Sequence, residues 1–200
     1  RKAPDPILKS KLWGLEFLTP LGVAAGFDKN ADVFDPLLKL GFGFVETGTV
    51  TPKAQAGNEK PRMFRLPEDL GFINRLGFNN KGLEYYTNNI MRWSKQGGSG
   101  VIGVNIGKNT NTKDDFSDFV SGVIALSDYA SYLVINISSP NTPGLRNLQS
   151  RVKLKKLLDS VILARGKANK HPPLLVKMAP DLSVSETNDV AEVAKETNID

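Results

Sequence analysis

Residues 136–146 have side chains that could hold and transform a small polar molecule. The segment reads Asn-Ile-Ser-Ser-Pro-Asn-Thr-Pro-Gly-Leu-Arg and follows an apolar run that begins at Tyr132. Its amides and hydroxyls can donate and accept hydrogen bonds, while its prolines and glycine shape a rigid turn. Because parallel α/β folds carry their chemistry at the carboxyl ends of strands, this loop is a candidate site.

Polar residues and glycines also follow the other apolar segments, at the points where those segments stop. Glycines would let a flat ligand approach the backbone, and asparagine amides would both donate and accept hydrogen bonds. A lysine at a strand end could offset anionic charge that develops in a reaction. Because carboxylates are scarce here, the set favours a planar heterocycle over a metal ion. These residues are Ala25, Gly26, Asp28, Lys29, Asn30, Thr47, Gly48, Thr49, Asn105, Asn136 and Lys177.

The elements that would position these residues alternate between short apolar strands and amphipathic helices. The predicted strands are residues 21–26, 42–48, 100–106, 132–137 and 174–178. The predicted helices are residues 36–40, 82–95, 114–127, 154–164 and 183–197, and a long polar segment covers about 51–80. The last helix would begin with Ser183 as N-cap and Glu186 placed for a capping box.

Strands that alternate with helices predict a parallel sheet, but the pattern alone fits both a doubly wound sheet and a β/α barrel. No dinucleotide glycine fingerprint is present, because Gly41 and Gly43 precede a strand instead of joining a strand to a helix. A full barrel needs eight units and about 250 residues. We therefore expect an α/β fold, the first five units of a (β/α)8 TIM barrel, with residues 1–200 as the N-terminal portion of one domain.

Composition narrows the classes of function. The formal net charge of +5 comes from scattered basic residues, so we do not expect a nucleic-acid partner. The absence of cysteine excludes disulfides, thiolate metal sites and a cysteine nucleophile. The single histidine, His171, precedes two prolines, so neither a histidine-rich metal site nor a serine–histidine triad is expected. No apolar run approaches the roughly 20 residues of a membrane helix.

Six motifs that occur in order along the chain resemble those of one family. They are Ala24-Ala-Gly-Phe-Asp-Lys29, Glu46-Thr-Gly-Thr-Val-Thr-Pro52, Asn74-Arg-Leu-Gly-Phe-Asn79, Asn105-Ile-Gly-Lys-Asn109, Asn136-Ile-Ser-Ser-Pro-Asn141 and Lys177-Met-Ala-Pro-Asp181. They are similar to the motifs of class 2 dihydroorotate dehydrogenases, the quinone-dependent form. Each motif alone is moderately specific, whereas all six in order are very specific.

The resemblance implies a barrel that holds FMN and oxidises dihydroorotate to orotate in pyrimidine (UMP) biosynthesis. It implies Ser139 as the catalytic base, Arg65 on the route of a membrane quinone, and Lys177 at the N1–O2 edge of the flavin. The implied flavin contacts are Ala25, Gly26, Thr49, Asn105, Asn136 and Lys177. The implied substrate contacts are Lys29, Asn74, Arg75, Leu76, Gly77, Phe78, Asn136 and Asn141.

The resemblance also implies how the protein relates to a membrane. The family's amphipathic N-terminal helices, which form the mouth of the quinone route, would precede Arg1. The last barrel units, which grip the flavin phosphate, would follow Asp200. The expected location is peripheral, on a bacterial inner membrane or the mitochondrial inner membrane, and no metal is expected.

Some of these residues also have simpler explanations. Ser139 could cap the loop before Pro140, and Arg65 could form a surface ion pair. Asn105 and Asn136 could be strand-end turn formers. Two other functions stay open, namely a different flavin barrel that acts on dihydropyrimidines or reduces enes, and a non-catalytic relative. Class 1 relatives use a cysteine base, so the absence of cysteine excludes that assignment.

Overall fold

A computed structural model of the chain describes residues 4–200, and residues 1–3 of the predicted domain lie outside the described residues. Strands and α-helices alternate over most of its length. In chain order the elements are β1 (Ser10–Leu12), β2 (Leu15–Phe17), β3 (Gly22–Val23), α1 (Phe34–Leu40), β4 (Phe44–Val50), β5 (Met63–Leu66), β6 (Gly71–Asn74), α2 (Leu83–Lys95), β7 (Val101–Ile106), α3 (Ser117–Leu126), β8 (Tyr132–Asn136), α4 (Arg151–Arg165), β9 (Leu174–Lys177) and α5 (Val184–Thr197).

Five parallel strands form the central sheet in the order β3-β4-β7-β8-β9. Each strand therefore pairs with its successor in the parallel series, and each is followed by one helix. The helices pack against one another in the same sequence, α2 on α3, α3 on α4, and α4 on α5. A doubly wound sheet would instead reverse its strand order at a switch point.

The two faces of this sheet belong to different apolar clusters, because successive side chains point to opposite faces of a strand. Val104 and Ile135 join a large buried cluster with side chains of the helices. Val101 and Val134 face the other way, and they form a separate cluster with Phe17 of β2. One face is thus covered by helices and the other lines an interior, as in a β/α barrel. The predicted fold class, about five units of a TIM barrel, is confirmed.

Two antiparallel hairpins were not predicted from the sequence. The β1–β2 hairpin turns through Trp13 and Gly14, whose φ angles are 52° and 76°, and it covers the interior cluster through Phe17. The β5–β6 hairpin lies inside the segment predicted to be long and polar. Its strands are mostly exposed on both faces, so their apolar residues do not alternate with polar ones.

Two predicted boundaries move for identifiable reasons. Helix α3 begins at Ser117 and not at Asp114, because the Asp114 carboxylate accepts hydrogen bonds from the backbone N–H groups of Phe116 (2.8 Å) and Ser117 (2.6 Å). Strand β3 covers only two residues of the predicted 21–26. Beyond it the backbone N–H of Gly26 donates to the carbonyl of Gly48 at 2.7 Å, and the chain leaves the sheet.

Helix α5 begins with the predicted capping box, and this cap should contribute measurably to stability. The Ser183 hydroxyl accepts from the backbone N–H of Glu186 at 3.2 Å, and the Glu186 carboxylate accepts from that of Ser183 at 2.8 Å. We expect Ser183→Ala to lower the free energy of unfolding by about 1 kcal/mol, because it removes the acceptor of a first-turn N–H. Urea denaturation measures this loss. The exposed Ser185→Ala is the control, and an equal loss in both variants would contradict the assignment.

Candidate functional site

The carboxyl ends of the parallel strands meet at a cleft of about 330 Å³. Three of its lining side chains are cationic, Lys29, Arg146 and Lys177, and none of the described lining residues is a carboxylate. The cleft therefore favours anionic ligands. Its lining residues are Ala25, Gly26, Lys29, Thr49, Asn74, Leu76, Gly77, Phe78, Asn136, Ser138, Ser139, Pro140, Asn141, Arg146, Lys177 and Pro180.

Two glycines shape the wall formed by β3 and β4. Gly26 and Gly48 both have a φ of 107°, which glycine adopts without steric cost. A Cβ at Gly48 would lie 2.4 Å from the backbone oxygen of Asn105, so only glycine allows this close approach of two strands. A Cβ at Gly26 would meet no heavy atom within 4 Å. Gly26 therefore leaves open space at the edge of the cleft.

Lys29 lies half-buried in the loop after β3. Its neighbour Asp28 anchors this loop, because the buried carboxylate accepts hydrogen bonds from the backbone N–H groups of Asp32 and Val33, both at 2.8 Å. Burial lowers the pKa of the Lys29 ammonium group below its ordinary value, and the positive charge of Arg62 lowers it further. An anion beside Lys29 would oppose both effects, so the position suits a carboxylate or a phosphate.

Three buried polar side chains form the floor of the cleft. The Asn136 amide donates to the hydroxyl of Thr49 and to the Oδ1 atom of Asn105, both at 3.0 Å. The Thr49 hydroxyl in turn donates to Asn105 Oδ1 at 2.5 Å. These contacts join residues from β4, β7 and β8, so the parallel register of the sheet determines the geometry of the floor.

A second set of contacts connects the floor to the cation at the end of β9. The Ser138 hydroxyl donates to Asn136 Oδ1 at 2.9 Å, and it accepts from the ammonium group of Lys177 at 2.9 Å. Arg146 Nε donates to the Ser138 carbonyl at 3.1 Å, while its Nη1 pairs with Asp181 at 3.0 Å. The loop after β8 is thus held from both sides, and Lys177 is directed along it.

Ser139 lies half-buried in the same loop, beside two amides. Among the described residues its hydroxyl has one hydrogen bond, which it accepts from the backbone N–H of Asn141 at 3.2 Å. The Asn141 side chain donates to the carbonyl of Asn74 at 3.4 Å, and the Asn141 carbonyl accepts from Asn58 at 3.3 Å. These bonds connect the loop to the end of the β5–β6 hairpin and gather one hydroxyl and two side-chain amides on one side of the cleft.

The segment after β6 presents a buried aromatic ring to the cleft. Gly77 and Phe78 both have left-handed backbone conformations, with φ angles of 70° and 53°. The Gln55 amide holds this turn by donating to the carbonyls of Gly77 (3.0 Å) and Phe78 (3.2 Å). The cleft thus combines an apolar ring with amide, hydroxyl and ammonium groups, as recognition of a small planar molecule requires. Within residues 4–200, no group of three or more His, Asp or Glu side chains is arranged to hold a metal ion.

Most of the predicted site residues line the cleft, and three do not. Asn105 belongs to the floor, but it is completely buried and does not itself line the cleft. The Arg75 guanidinium group donates to the carbonyl of Pro61 at 3.1 and 2.9 Å, so its side chain is directed away from the cleft. Arg65 is exposed on β5, opposite Phe72 of β6.

Three residues of the site were given no role by sequence reasoning. Ser138 and Arg146 line the cleft, and both lie inside the loop that the sequence identified. Glu46 lies below the floor, where its carboxylate accepts from the Asn105 amide at 2.8 Å. A strand has a period of two residues, so Glu46 must face the same side as Gly48. Counting back from Gly48 could therefore have identified Glu46.

Comparison with known proteins identifies the family of the chain. Residues 7–200 match the family model described as dihydroorotate dehydrogenase. The chain is 49% identical to the dihydroorotate dehydrogenase (quinone) of Azorhizobium caulinodans over 204 residues, covering 100% of the chain and 57% of that relative. It is 51% identical to the protein of the same name from Rhodospirillum rubrum, covering 97% of the chain and 53% of the relative. The chain thus spans about half the length of the curated relatives it matches.

Two crystal structures of dihydroorotate dehydrogenases (DHODH) share the fold of this chain. The crystal structure of DHODH from Eimeria tenella in complex with ferulenol superposes with a TM-score of 0.96 at 43% identity, covering 100% of this chain and 60% of that one. The ligand-free form from Eimeria tenella gives a TM-score of 0.93 at 44% identity, covering 98% of this chain and 61% of that one. The chain belongs to the dihydroorotate dehydrogenase family.

Proposed function

We propose that the cleft belongs to an enzyme that oxidises dihydroorotate to orotate in pyrimidine biosynthesis, with FMN as redox cofactor and a quinone as electron acceptor. One observation carries this proposal. The cleft of this chain, a member of the dihydroorotate dehydrogenase family, brings together one hydroxyl, three amides and one ammonium group. They belong to Ser139, to Asn74, Asn136 and Asn141, and to Lys177. Relatives that are 49% and 51% identical in sequence are named dihydroorotate dehydrogenase (quinone), and this name indicates their substrate and electron acceptor.

The residues at the cleft are chemically suited to FMN. The open space beside Gly26 would receive part of a flat ring, since no heavy atom lies within 4 Å of a Cβ built there. Thr49 and Asn136 offer polar groups on the floor, and Lys177 offers a cation for the carbonyl edge of the ring. Bound FMN supplies the acceptor for the hydride that leaves the substrate. The residues that would hold it are Ala25, Gly26, Thr49, Asn105, Asn136 and Lys177, with Asn105 acting through the other two floor residues.

The opposite side of the cleft suits the substrate. Dihydroorotate carries a carboxylate and a ring of alternating carbonyl and N–H groups, which need a cation together with amides that both donate and accept. Lys29 provides the cation, and the lowered pKa of its ammonium group would recover on binding an anion. Asn74, Asn136 and Asn141 provide the amides. Leu76, Gly77 and Phe78 complete the wall, whereas the side chain of Arg75 is directed outward.

Ser139 would take the carbon-bound proton of the substrate. A free hydroxyl is a weak base, so negative charge on Ser139 Oγ must be stabilised as the proton moves. The backbone N–H of Asn141 already donates to this oxygen at 3.2 Å. Lys177 adds a positive charge to the cleft and would favour the anionic product of electron transfer. The chain's own residues therefore supply a proton acceptor and two means of charge stabilisation.

We further propose that residues 1–200 form the N-terminal portion of a single barrel domain. Among the described residues, β3 pairs only with β4, and β9 pairs only with β8, so both edges of the parallel sheet are open. Further β/α units would cover these edges and close the barrel.

The complete protein would bind a membrane peripherally, through segments that precede this chain, on a bacterial inner membrane or the mitochondrial inner membrane. No helix within residues 4–200 has both the length and the hydropathy for a membrane crossing.

The flavin spectrum of the complete protein tests the proposed function. A yellow cofactor that bleaches on addition of dihydroorotate, but not of dihydrouracil, would support it. Bleaching with dihydrouracil alone would favour a different flavin barrel. A preparation without bound flavin would favour a non-catalytic relative.

Arg65 should affect the quinone half-reaction alone. It lies on the exposed β5–β6 hairpin and outside the cleft, so its guanidinium fork could donate to a quinone carbonyl. We expect Arg65→Ala to slow flavin reoxidation by quinone about tenfold, since a hydrogen bond to a charged group contributes about 1.5 kcal/mol. Reduction by dihydroorotate should stay unchanged. Stopped-flow absorbance measures each half-reaction separately, and Arg92→Ala on the exposed side of α2 is the control. Equal slowing of both half-reactions, or faster turnover with fumarate than with quinone, would contradict this role.

A further inference from the structure

The hydrogen bonds below the cleft form one continuous chain with a single direction. It starts at Lys177, whose ammonium group can only donate, and passes through the Ser138 hydroxyl to Asn136 Oδ1. The Asn136 amide donates to Asn105 Oδ1, and the Asn105 amide donates to the Glu46 carboxylate at 2.8 Å. An ionised carboxylate can only accept, so the chain ends there.

The two ends of this hydrogen-bond chain determine how its asparagine amides are oriented. Asparagine can rotate its amide to exchange donor and acceptor, and only its partners decide which orientation is stable. Because Glu46 demands a donor, the Nδ2 atom of Asn105 must face it. Asn105 Oδ1 must then face the cleft, where it accepts from Thr49 and Asn136. Asn136 is thereby fixed with its own oxygen toward Ser138.

We propose that Glu46 is a positioning residue for the flavin site, because its carboxylate sets the direction of the hydrogen-bond chain that begins at Lys177. This inference rests on the proposed function, since it concerns how the cleft holds FMN. Glu46 contacts neither the cleft nor a ligand directly. It acts through Asn105 on Asn136 and Thr49, and at the far end through Ser138 on Lys177.

The surroundings of Glu46 explain why its charge state matters. Its side chain is half-buried in the sheet interior, between the apolar cluster of Phe17 and the floor of the cleft. Burial raises the pKa of this carboxyl group, while the hydrogen bond from Asn105 and the charge of Lys177 act in the opposite direction. Two tyrosines also interact with the charge of Glu46, namely Tyr132 on β8 and Tyr86 on α2, and burial raises the pKa of both hydroxyls. Protonated Glu46 could donate and would remove the fixed direction of the chain.

The test uses the complete protein from which the cofactor has been removed. Its affinity for FMN is measured as a function of pH by the change in flavin fluorescence on binding. Glu46→Gln keeps the shape of the side chain but can present either a donor or an acceptor to Asn105. We expect its FMN affinity to fall about tenfold to a hundredfold, as loss of a charge-assisted hydrogen bond implies. The parent should lose affinity as the pH falls through the pKa of Glu46, and the variant should lack that step.

A double variant distinguishes loss of the direction of the hydrogen-bond chain from simple loss of packing. In Glu46→Gln with Asn105→Asp, the new carboxylate accepts from the glutamine amide, from Thr49 and from Asn136, so the direction is restored. We expect it to recover most of the affinity that the single variant loses. Glu84→Gln, at an exposed site in the first turn of α2, should bind FMN like the parent. Urea denaturation of each apoprotein compares their folding.

The outcomes distinguish this inference from the proposed function. If the parent binds no FMN, both fail. If the parent binds FMN and Glu46→Gln binds it equally at every pH, the proposed function stands and the positioning role of Glu46 is wrong. A double variant no better than the single one also overturns the role. If Glu46→Gln does not fold, the double variant must fold and bind FMN for the inference to survive.

Discussion

Replacing Ser139 by alanine should leave FMN binding intact and slow its reduction by dihydroorotate about 10²–10⁴-fold, the usual effect of losing a general base. Ser139 lines the same cleft as the amide-bearing residues Asn74 and Asn136, and among residues 4–200 its hydroxyl accepts one hydrogen bond, from the backbone N–H of Asn141. It is therefore free to contact a substrate. Its removal takes away one oxygen atom and leaves the floor of the cleft unchanged.

Single-turnover reduction followed at the flavin absorbance band measures the expected loss. Ser160→Ala is the matched control, since this half-buried serine on α4 lies outside the cleft and, among the described residues, donates its one hydrogen bond to the carbonyl of Lys156 in its own helix. The control should reduce FMN at the rate of the parent. If Ser139→Ala also does so, Ser139 is not the base, and a loop-capping role for its hydroxyl would suffice.

Replacing Lys177 by alanine should have the second largest effect, a loss of about 10²–10³ in the rate of flavin reduction, as for other groups that stabilise developing negative charge. Lys177 lines the cleft at the end of β9, and its ammonium group is held 2.9 Å from the Ser138 hydroxyl. Without this cation, bound FMN would lose a charge that favours its reduced, anionic form, so we expect the reduction potential of FMN to fall. A loss of 1.5–3 kcal/mol corresponds to a fall of about 30–60 mV.

Potentiometric titration and FMN affinity together test the role of Lys177. We expect weaker FMN binding in Lys177→Ala, whereas Lys156→Ala, at an exposed site on α4, should match the parent in both measurements. A Lys177→Ala protein with the parental potential and affinity would show that the lysine is an ordinary surface residue. A changed affinity with an unchanged potential would limit its role to binding.

The order of strands and helices could be predicted from the sequence because each element follows from the apolar and polar residues within its own segment. Short apolar runs identified the parallel strands, and Ser183 with Glu186 identified the start of α5. The polar residues that follow each run were sufficient to predict a site. Strand ends of a parallel sheet meet at one edge whatever the loops contain.

The hairpins and the directions of individual side chains could not be predicted in this way. β5 and β6 have exposed faces and no hydrophobic period, so only their pairing with each other reveals them. Arg75 belongs to a motif whose neighbours line the cleft, yet its guanidinium group binds the carbonyl of Pro61. A motif specifies neighbours along the chain, whereas the direction of a long side chain depends on the partners within its reach.

Local sequence was enough to identify the residues at the strand ends, and most of these share the cleft. Their depth and orientation depend on the tertiary fold, which brings together residues far apart in the chain. Asn136 bonds to Thr49, 87 residues earlier, and Asn105 bonds to Glu46, 59 residues earlier. Each amide could face either way until its partner is present. The register between neighbouring strands therefore places Asn105 in the floor and makes Glu46 the end of its hydrogen-bond chain.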